Sequence, residues 1–155
     1  MRSRRSSWLT RVVFSAGSVN TRLHQRPLFE RLIQMATSIR IALVEAQSLV
    51  REALVFLLKQ TPGIELVMHT SGQDLSQIMT AAEQSQVLLL EPPELGGLDL
   101  LQKLMQTCPG VKILVLSSNV SPASAARALC AGAIGYVPKT ADLNDVVVGI
   151  RTVLT

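Results

Sequence analysis

The chain has 155 residues, 48% hydrophobic but only 3% aromatic, which is enough for one domain with a core of Leu, Val, Ile and Ala. Its net charge of +4 is unevenly distributed: residues 1–38 carry seven arginines and one glutamate, whereas residues 39–155 carry eight basic and ten acidic side chains. A nucleic-acid-binding domain needs clustered Lys and Arg side chains, so the weakly acidic charge of residues 39–155 excludes that class. No apolar run approaches the ~20 residues that span a bilayer, so we expect a cytoplasmic protein with no membrane partner and no DNA-binding domain within this chain.

The segment over residues 1–37 is basic, and its first 29 residues contain no acid. This composition is typical of an organellar transit peptide. Two other interpretations are a disordered basic tail and a start codon assigned too far upstream, with Met35 as the true start. We favour these two, because the stretch MATSIRIALVEA that begins at Met35 is a natural start for a domain whose first strand follows at once.

Strand and helix patterns alternate from Ile39 to the end of the chain. Short β-rich or apolar runs predict five strands, over residues 39–44, 64–68, 87–90, 111–116 and 133–137. Apolar residues at helical spacing predict five helices, over residues 48–60, 72–84, 98–107, 123–131 and from Asp142 onward. Five β-α units with short, right-handed crossovers predict an α/β, flavodoxin-like (βα)5 fold, a doubly wound parallel sheet with strand order 2-1-3-4-5.

Polar side chains follow the predicted strands where each of them ends. The first strand leads into Glu45, the third into Glu91, the fourth into Ser117 and Ser118, and the fifth into Lys139. In this topology these strand ends surround one crevice. Two acids, hydroxyl groups and an ammonium in one place suit phosphoryl chemistry.

These residues resemble a known family. From about Thr37 to Thr155 the chain is similar to a response-regulator receiver domain, of the subgroup usually followed by a LuxR-type helix-turn-helix. The matching stretches are IRIALVEAQSLVREAL, VLLLE, VKILVLSS and ALCAGAIGYVPK. Residues 38–155 are therefore expected to form a receiver-like domain.

The resemblance implies a function in two-component phosphorelay signal transduction, by protein contact and without enzymatic activity. It also implies a role in transcription regulation. The expected partners are a histidine kinase, a downstream regulator or a second copy of the chain.

The resemblance also implies roles for single residues. In the family, a carboxylate pair after the first strand holds Mg²⁺, an aspartate after the third takes the phosphoryl group, and a Ser/Thr and a lysine bind that group. Ser117 and Lys139 match the last two, and Tyr136 resembles the switch aromatic. An alternative for Tyr136 is half-buried packing at the sheet edge.

Two positions depart from the family pattern, and the loop after Glu91 is about two residues shorter than usual. Ala46 replaces the second acid of the pair, which leaves Glu45 and Glu91 as a weakened Mg²⁺ site, and no other cofactor is expected. Glu91 replaces the phosphoacceptor aspartate and is one methylene longer. Because a misplacement of about 1 Å can cost a hundredfold in rate, we predict a pseudo-receiver in which Glu91 forms a permanent ion pair with Lys139.

The alternative function is a flavodoxin-like small-ligand-binding protein or enzyme, but the loop VEAQSLVREA lacks the Gly-rich or Ser/Thr-rich stretch that binds a phosphate. Other side chains have simpler interpretations. Cys108 and Cys130 are expected to be buried small residues. His69 is expected in a solvated loop, and Val148 on an exposed patch for self-association.

Overall fold

A computed structural model describes residues 22–155, apart from the side chains of residues 22–26, 34 and 35. Predictions for residues 1–21 lie outside the described residues. Helix α1 (Arg22–Thr37) lies in a segment for which the sequence predicts no helix. The compact unit that carries the sheet spans Thr37–Thr155. The origin of the basic tail and the boundary at residue 37 stay predictions.

The compact unit contains five strands and five helices. The strands are β1 (Ile39–Val44), β2 (Ile64–Thr70), β3 (Val87–Leu90), β4 (Lys112–Ser117) and β5 (Gly135–Pro138). The helices are α2 (Ser48–Lys59), α3 (Leu75–Gln84), α4 (Gly97–Thr107), α5 (Pro122–Cys130) and α6 (Leu143–Thr152). All strand pairs are parallel and the order is β2-β1-β3-β4-β5, which confirms the predicted fold. None of the helices in the described range is long and apolar enough to cross a membrane.

The central strands are buried on both faces, which explains their uninterrupted apolar sequences. In β3, Leu88 and Leu90 face a cluster formed with α3, α4 and α5, whereas Val87 and Leu89 face a cluster formed with α2 and α6. All four side chains are fully buried. Two helices therefore cover one face of the sheet and three cover the other, as right-handed crossovers require.

Two helix starts follow from their capping residues. Ser121 begins α5 as predicted, and its hydroxyl accepts a hydrogen bond from the backbone N–H of Ser124. Helix α3 begins at Leu75, later than predicted, because the Asp74 carboxylate caps it by accepting from Ser76. Gly72, predicted inside this helix, has φ +81°, which belongs to a turn.

Two predictions about single side chains are corrected. His69 is exposed, as expected, but it lies within β2, because the strand continues to Thr70. Cys108 is buried, whereas Cys130 is exposed. Helix α5 buries Ala128, and a residue two positions later points to the opposite side of a helix. Val148 is 54% exposed, and its role in self-association stays a prediction.

Backbone hydrogen bonds extend the sheet into the loops that carry the candidate site. The N–H of Glu91 donates to the carbonyl of Val44 over 3.0 Å, just after β3. The N–H of Lys139 donates to the carbonyl of Ser117 over 2.7 Å, just after β5. These bonds fix the starting points of both side chains at the same edge of the sheet.

Candidate functional site

The structure brings Lys139 together with both predicted acids. The Nζ atom of Lys139 lies 2.6 Å from Oε2 of Glu91 and 2.8 Å from Oε2 of Glu45. It also donates a hydrogen bond of 3.0 Å to Oε1 of Glu45. The ion pair between Glu91 and Lys139 that the sequence predicts is therefore present, and Glu45 completes a group of one cation and two carboxyl groups.

The site includes two residues that the sequence analysis missed, Gln47 and Arg51. The side-chain oxygen of Gln47 accepts a hydrogen bond of 3.1 Å from Lys139 Nζ, and its backbone N–H donates to Oε1 of Glu45 over 2.9 Å. The Arg51 guanidinium donates to the backbone carbonyl of Glu45 over 2.8 Å. A polar residue and a basic residue near a strand end are too common to have signalled these contacts.

Burial makes the charges of this group interdependent. The side chain of Glu45 has no exposed surface, and those of Glu91 and Lys139 are 18% and 11% exposed. Burial raises the pKa of Glu91, and the adjacent Glu45 raises it further, against the opposing effect of Lys139. Burial alone would raise the pKa of Glu45, but hydrogen bonds with Glu91 and Lys139 outweigh it, so the pKa of Glu45 is lowered. Glu45 is therefore the acid that stays ionised to lower pH.

The oxygen atoms of this site are better placed to accept hydrogen bonds from an ammonium than to coordinate a divalent cation. Oε2 of both glutamates is directed at Lys139, and Ala46 offers no side-chain oxygen. Mg²⁺ requires oxygen ligands in near-octahedral geometry at about 2.1 Å. Among residues 22–155 no group of three or more His, Cys, Asp or Glu side chains is arranged to hold a metal ion. The weak Mg²⁺ assignment to Glu45 and Glu91 stays a prediction without support from this geometry.

A cavity of about 500 Å³ opens beside Glu91. Glu91, Ser117, Ser118 and Tyr136 all contribute to its wall, together with residues of the loops before α4 and α5. The hydroxyl of Ser117 accepts a hydrogen bond of 3.1 Å from the N–H of Asn119. Ser117 and Glu91 thus line the same cavity, while Lys139 is held by the glutamates and Gln47; the role of Ser117 in binding a phosphoryl group stays a prediction.

Tyr136 is half-buried and packs against the cluster formed with α3, α4 and α5. Its hydroxyl donates to the backbone carbonyl of Asn119, in the loop that follows β4. Tyr136 therefore links β5 to this loop by a hydrogen bond as well as by packing. Its role as a switch aromatic stays a prediction.

Comparison with protein families settles the relationship that the geometry indicates. The response regulator receiver domain matches residues 41–151 of the chain, from within β1 to within α6. The chain belongs to this family. Family membership confirms the resemblance seen in the sequence.

Curated relatives of this receiver domain include response regulators and a protein-glutamate methylesterase/protein-glutamine glutaminase of Paramagnetospirillum magneticum, which is 29% identical over 117 residues. GacA of Pseudomonas protegens is 30% identical over 117 residues, which cover 74% of this chain and 55% of GacA. UvrY of Escherichia coli strain K12 is 32% identical over 117 residues, which cover 74% of this chain and 54% of UvrY. The chain spans about half the length of these two response regulators.

Solved structures agree on the family and the fold. A two-component response regulator of the LuxR family from Aurantimonas sp. SI85-9A1 has a TM-score of 0.67 and 26% identity, with coverage of 76% of this chain and 85% of that protein. A CheY-like receiver domain from Methanospirillum hungatei JF-1 has a TM-score of 0.61 at 21% identity, covering 74% and 92%. The second likeness concerns the fold alone.

Proposed function

We propose that this receiver domain is a pseudo-receiver, which acts by protein contact in two-component signal transduction without being phosphorylated on residue 91. The observation that carries the proposal is the 2.6 Å contact between Lys139 Nζ and Glu91 Oε2. The two charged side chains reach this distance directly, so the contact forms without a phosphoryl group between them. The ion pair therefore holds the strand ends in one arrangement permanently.

Three features of the site oppose phosphoryl transfer to Glu91. The carboxylate of Glu91 is already engaged by Lys139. Its side chain is one methylene longer than the aspartate of the family pattern, which displaces the reacting oxygen, and in-line transfer tolerates displacement poorly. Ala46 removes one oxygen ligand that the family uses for its divalent cation. Each change weakens the same reaction.

The partners follow from the family. A domain that catalyses no reaction transmits a signal by binding other proteins. We therefore propose that it binds a histidine kinase, a downstream regulator or a second copy of the chain. The LuxR-family relative from Aurantimonas supports a role in transcription regulation. The alternative, a flavodoxin-like ligand-binding protein or enzyme, has no such support, because the β1–α2 loop Glu45-Ala46-Gln47 contains no glycine. We propose a cytoplasmic location, where two-component regulators act.

Incubation of the purified protein with Mg²⁺ and acetyl phosphate tests the proposal. Intact-mass and peptide mass spectrometry should find no phosphate on Glu91. The matched control is Glu91→Gln, which removes the carboxylate and should likewise show no added phosphate. Stoichiometric phosphate on Glu91 of the wild-type protein, absent from Glu91→Gln, would overturn the proposal.

A further inference from the structure

We propose that Gln47 is a positioning residue that closes an acceptor cradle, made of Glu45, Gln47 and Glu91, around the ammonium of Lys139. The inference rests on the pseudo-receiver proposal and names what keeps the site closed. An ammonium has three N–H donors and no acceptor. Three side chains offer it oxygens at distances of 2.6 to 3.1 Å. Two of its donors make hydrogen bonds, to Glu45 and to Gln47, and the Glu91 carboxylate lies within ion-pair distance.

Gln47 is suited to this role because it contacts both charged partners. Its backbone N–H donates to Oε1 of Glu45, which orients the carboxylate. Its side-chain oxygen accepts from Lys139 Nζ over 3.1 Å at the exposed end of the site. The two contacts together set the direction from which Lys139 approaches Glu45.

The loop that carries Gln47 is itself held in place. The Arg51 guanidinium donates to the backbone carbonyl of Glu45 over 2.8 Å and to that of Ala46 over 3.4 Å. The N–H of Arg51 donates to the carbonyl of Gln47 over 2.9 Å, in the first turn of α2. The acceptor cradle therefore stands on a loop whose backbone is hydrogen-bonded from the adjoining helix.

The acceptor cradle determines which ions the site can take. A phosphoryl-like anion would have to displace an acceptor from Lys139 while facing two carboxyl groups. Repulsion between like charges in a buried site opposes that exchange. The site thus accepts its own internal cation and excludes anions, and one ammonium connects the ends of β1, β3 and β5.

Labelling of lysine amines in the full-length protein tests the role of Gln47. Reductive methylation with formaldehyde and borohydride, followed by peptide mass spectrometry, gives the rate at each lysine. We expect Lys139 to react more slowly than Lys59, Lys103 and Lys112, which are exposed. Gln47→Leu should raise the Lys139 rate about fivefold, the change expected for the loss of one hydrogen bond worth ~1 kcal/mol.

The conservative variant Gln47→Glu keeps an acceptor at the same reach and should restore slow labelling of Lys139. Circular dichroism and urea denaturation of each variant are the control for a general loss of structure, and the rates at the three exposed lysines correct for differences in reagent between samples. If Gln47→Leu does not fold, Gln47→Asn replaces it, because its side chain is one methylene shorter and loses the contact.

Unchanged labelling of Lys139 in the folded variant that lacks the contact would overturn the inference, as would fast labelling in Gln47→Glu. The outcome is separate from that of the acetyl phosphate experiment. Phosphate on Glu91 would refute the pseudo-receiver and leave the labelling result intact. Labelling that is indifferent to Gln47 would refute the acceptor cradle and leave the pseudo-receiver intact.

Discussion

The ammonium of Lys139 lies 2.8 Å from Oε2 of Glu45, a carboxylate without exposed surface that is 94 positions away in the sequence. Oε2 of Glu45 is buried and accepts no well-aligned hydrogen bond, so the charge of Lys139 is what compensates it there. A buried carboxylate without a partner is costly. Lys139 is therefore needed to keep Glu45 in the folded core.

Replacement of Lys139 by Met should destabilise the domain by about 3–5 kcal/mol, because it leaves a buried acid without its cation. Urea denaturation at neutral pH measures the loss. The control Lys112→Met removes an exposed lysine and should change stability by less than ~0.5 kcal/mol. Adding Glu45→Gln and Glu91→Gln to Lys139→Met should recover most of the loss, since no buried charge then remains. A stable single variant would contradict this account of Glu45.

The meeting of Glu45, Glu91 and Lys139 could be predicted because it depends on topology alone. Each of them follows a parallel strand, and the order of the strands places those ends side by side. The departure of Glu91 from the family pattern then predicted the ion pair with Lys139. These inferences need no knowledge of side-chain direction.

What the sequence could not predict depends on direction and packing. The complete burial of Glu45 follows from the path of the loop, which carries no periodic pattern. The exposure of Cys130 follows from the rotation of α5 about its axis. Its Ala-rich sequence, PASAARALC, gives only a weak indication of which side is buried. Helix α1 does carry apolar residues four positions apart, Leu28 with Leu32 and Phe29 with Ile33, a pattern that the sequence analysis did not use.

Glu91 should make the stability of the domain depend on pH. Its pKa is raised in the folded state, so protonation of Glu91 is easier in the folded protein than in the unfolded chain. The resulting stability is fully present below the unfolded pKa of about 4.5 and is lost as the pH rises through the folded pKa. The difference in unfolding free energy between wild type and Glu91→Gln should therefore fall as the pH rises from 4.5.

Urea denaturation of both proteins at several pH values between 4 and 7.5 measures this difference. The pKa of Glu45 is lowered in the folded state, so the pH dependence of its effect on stability has the opposite sign. The stability that Glu45 contributes is lost as the pH falls below 4.5. Glu45→Gln is thus the matched comparison. A difference for Glu91→Gln that rises with pH would mean that Lys139, rather than burial and Glu45, dominates the charge of Glu91.

The two cysteines should react at very different rates with a thiol reagent. Cys130 is exposed and Cys108 is buried, and a buried thiol reacts only when the structure opens. Ellman's reagent should modify one thiol per chain rapidly in buffer and two in denaturant. Cys130→Ser should abolish the fast reaction. Rapid reaction of both thiols in the native protein would contradict the burial of Cys108 in the cluster formed with α3, α4 and α5.

The link between Tyr136 and the loop after β4 should be measurable by removal of a single oxygen. Tyr136→Phe deletes the hydrogen bond to the carbonyl of Asn119 and keeps the packing of the ring. The loss should be about 0.5–1.5 kcal/mol in urea denaturation, and amide hydrogen exchange should accelerate at Asn119, whose N–H donates to the Ser117 hydroxyl, before it does so in β4. Tyr136→Leu, which also removes the ring, should cost more. If Tyr136→Phe left both stability and exchange unchanged, the hydroxyl would not hold this loop, and Tyr136 would act by packing alone.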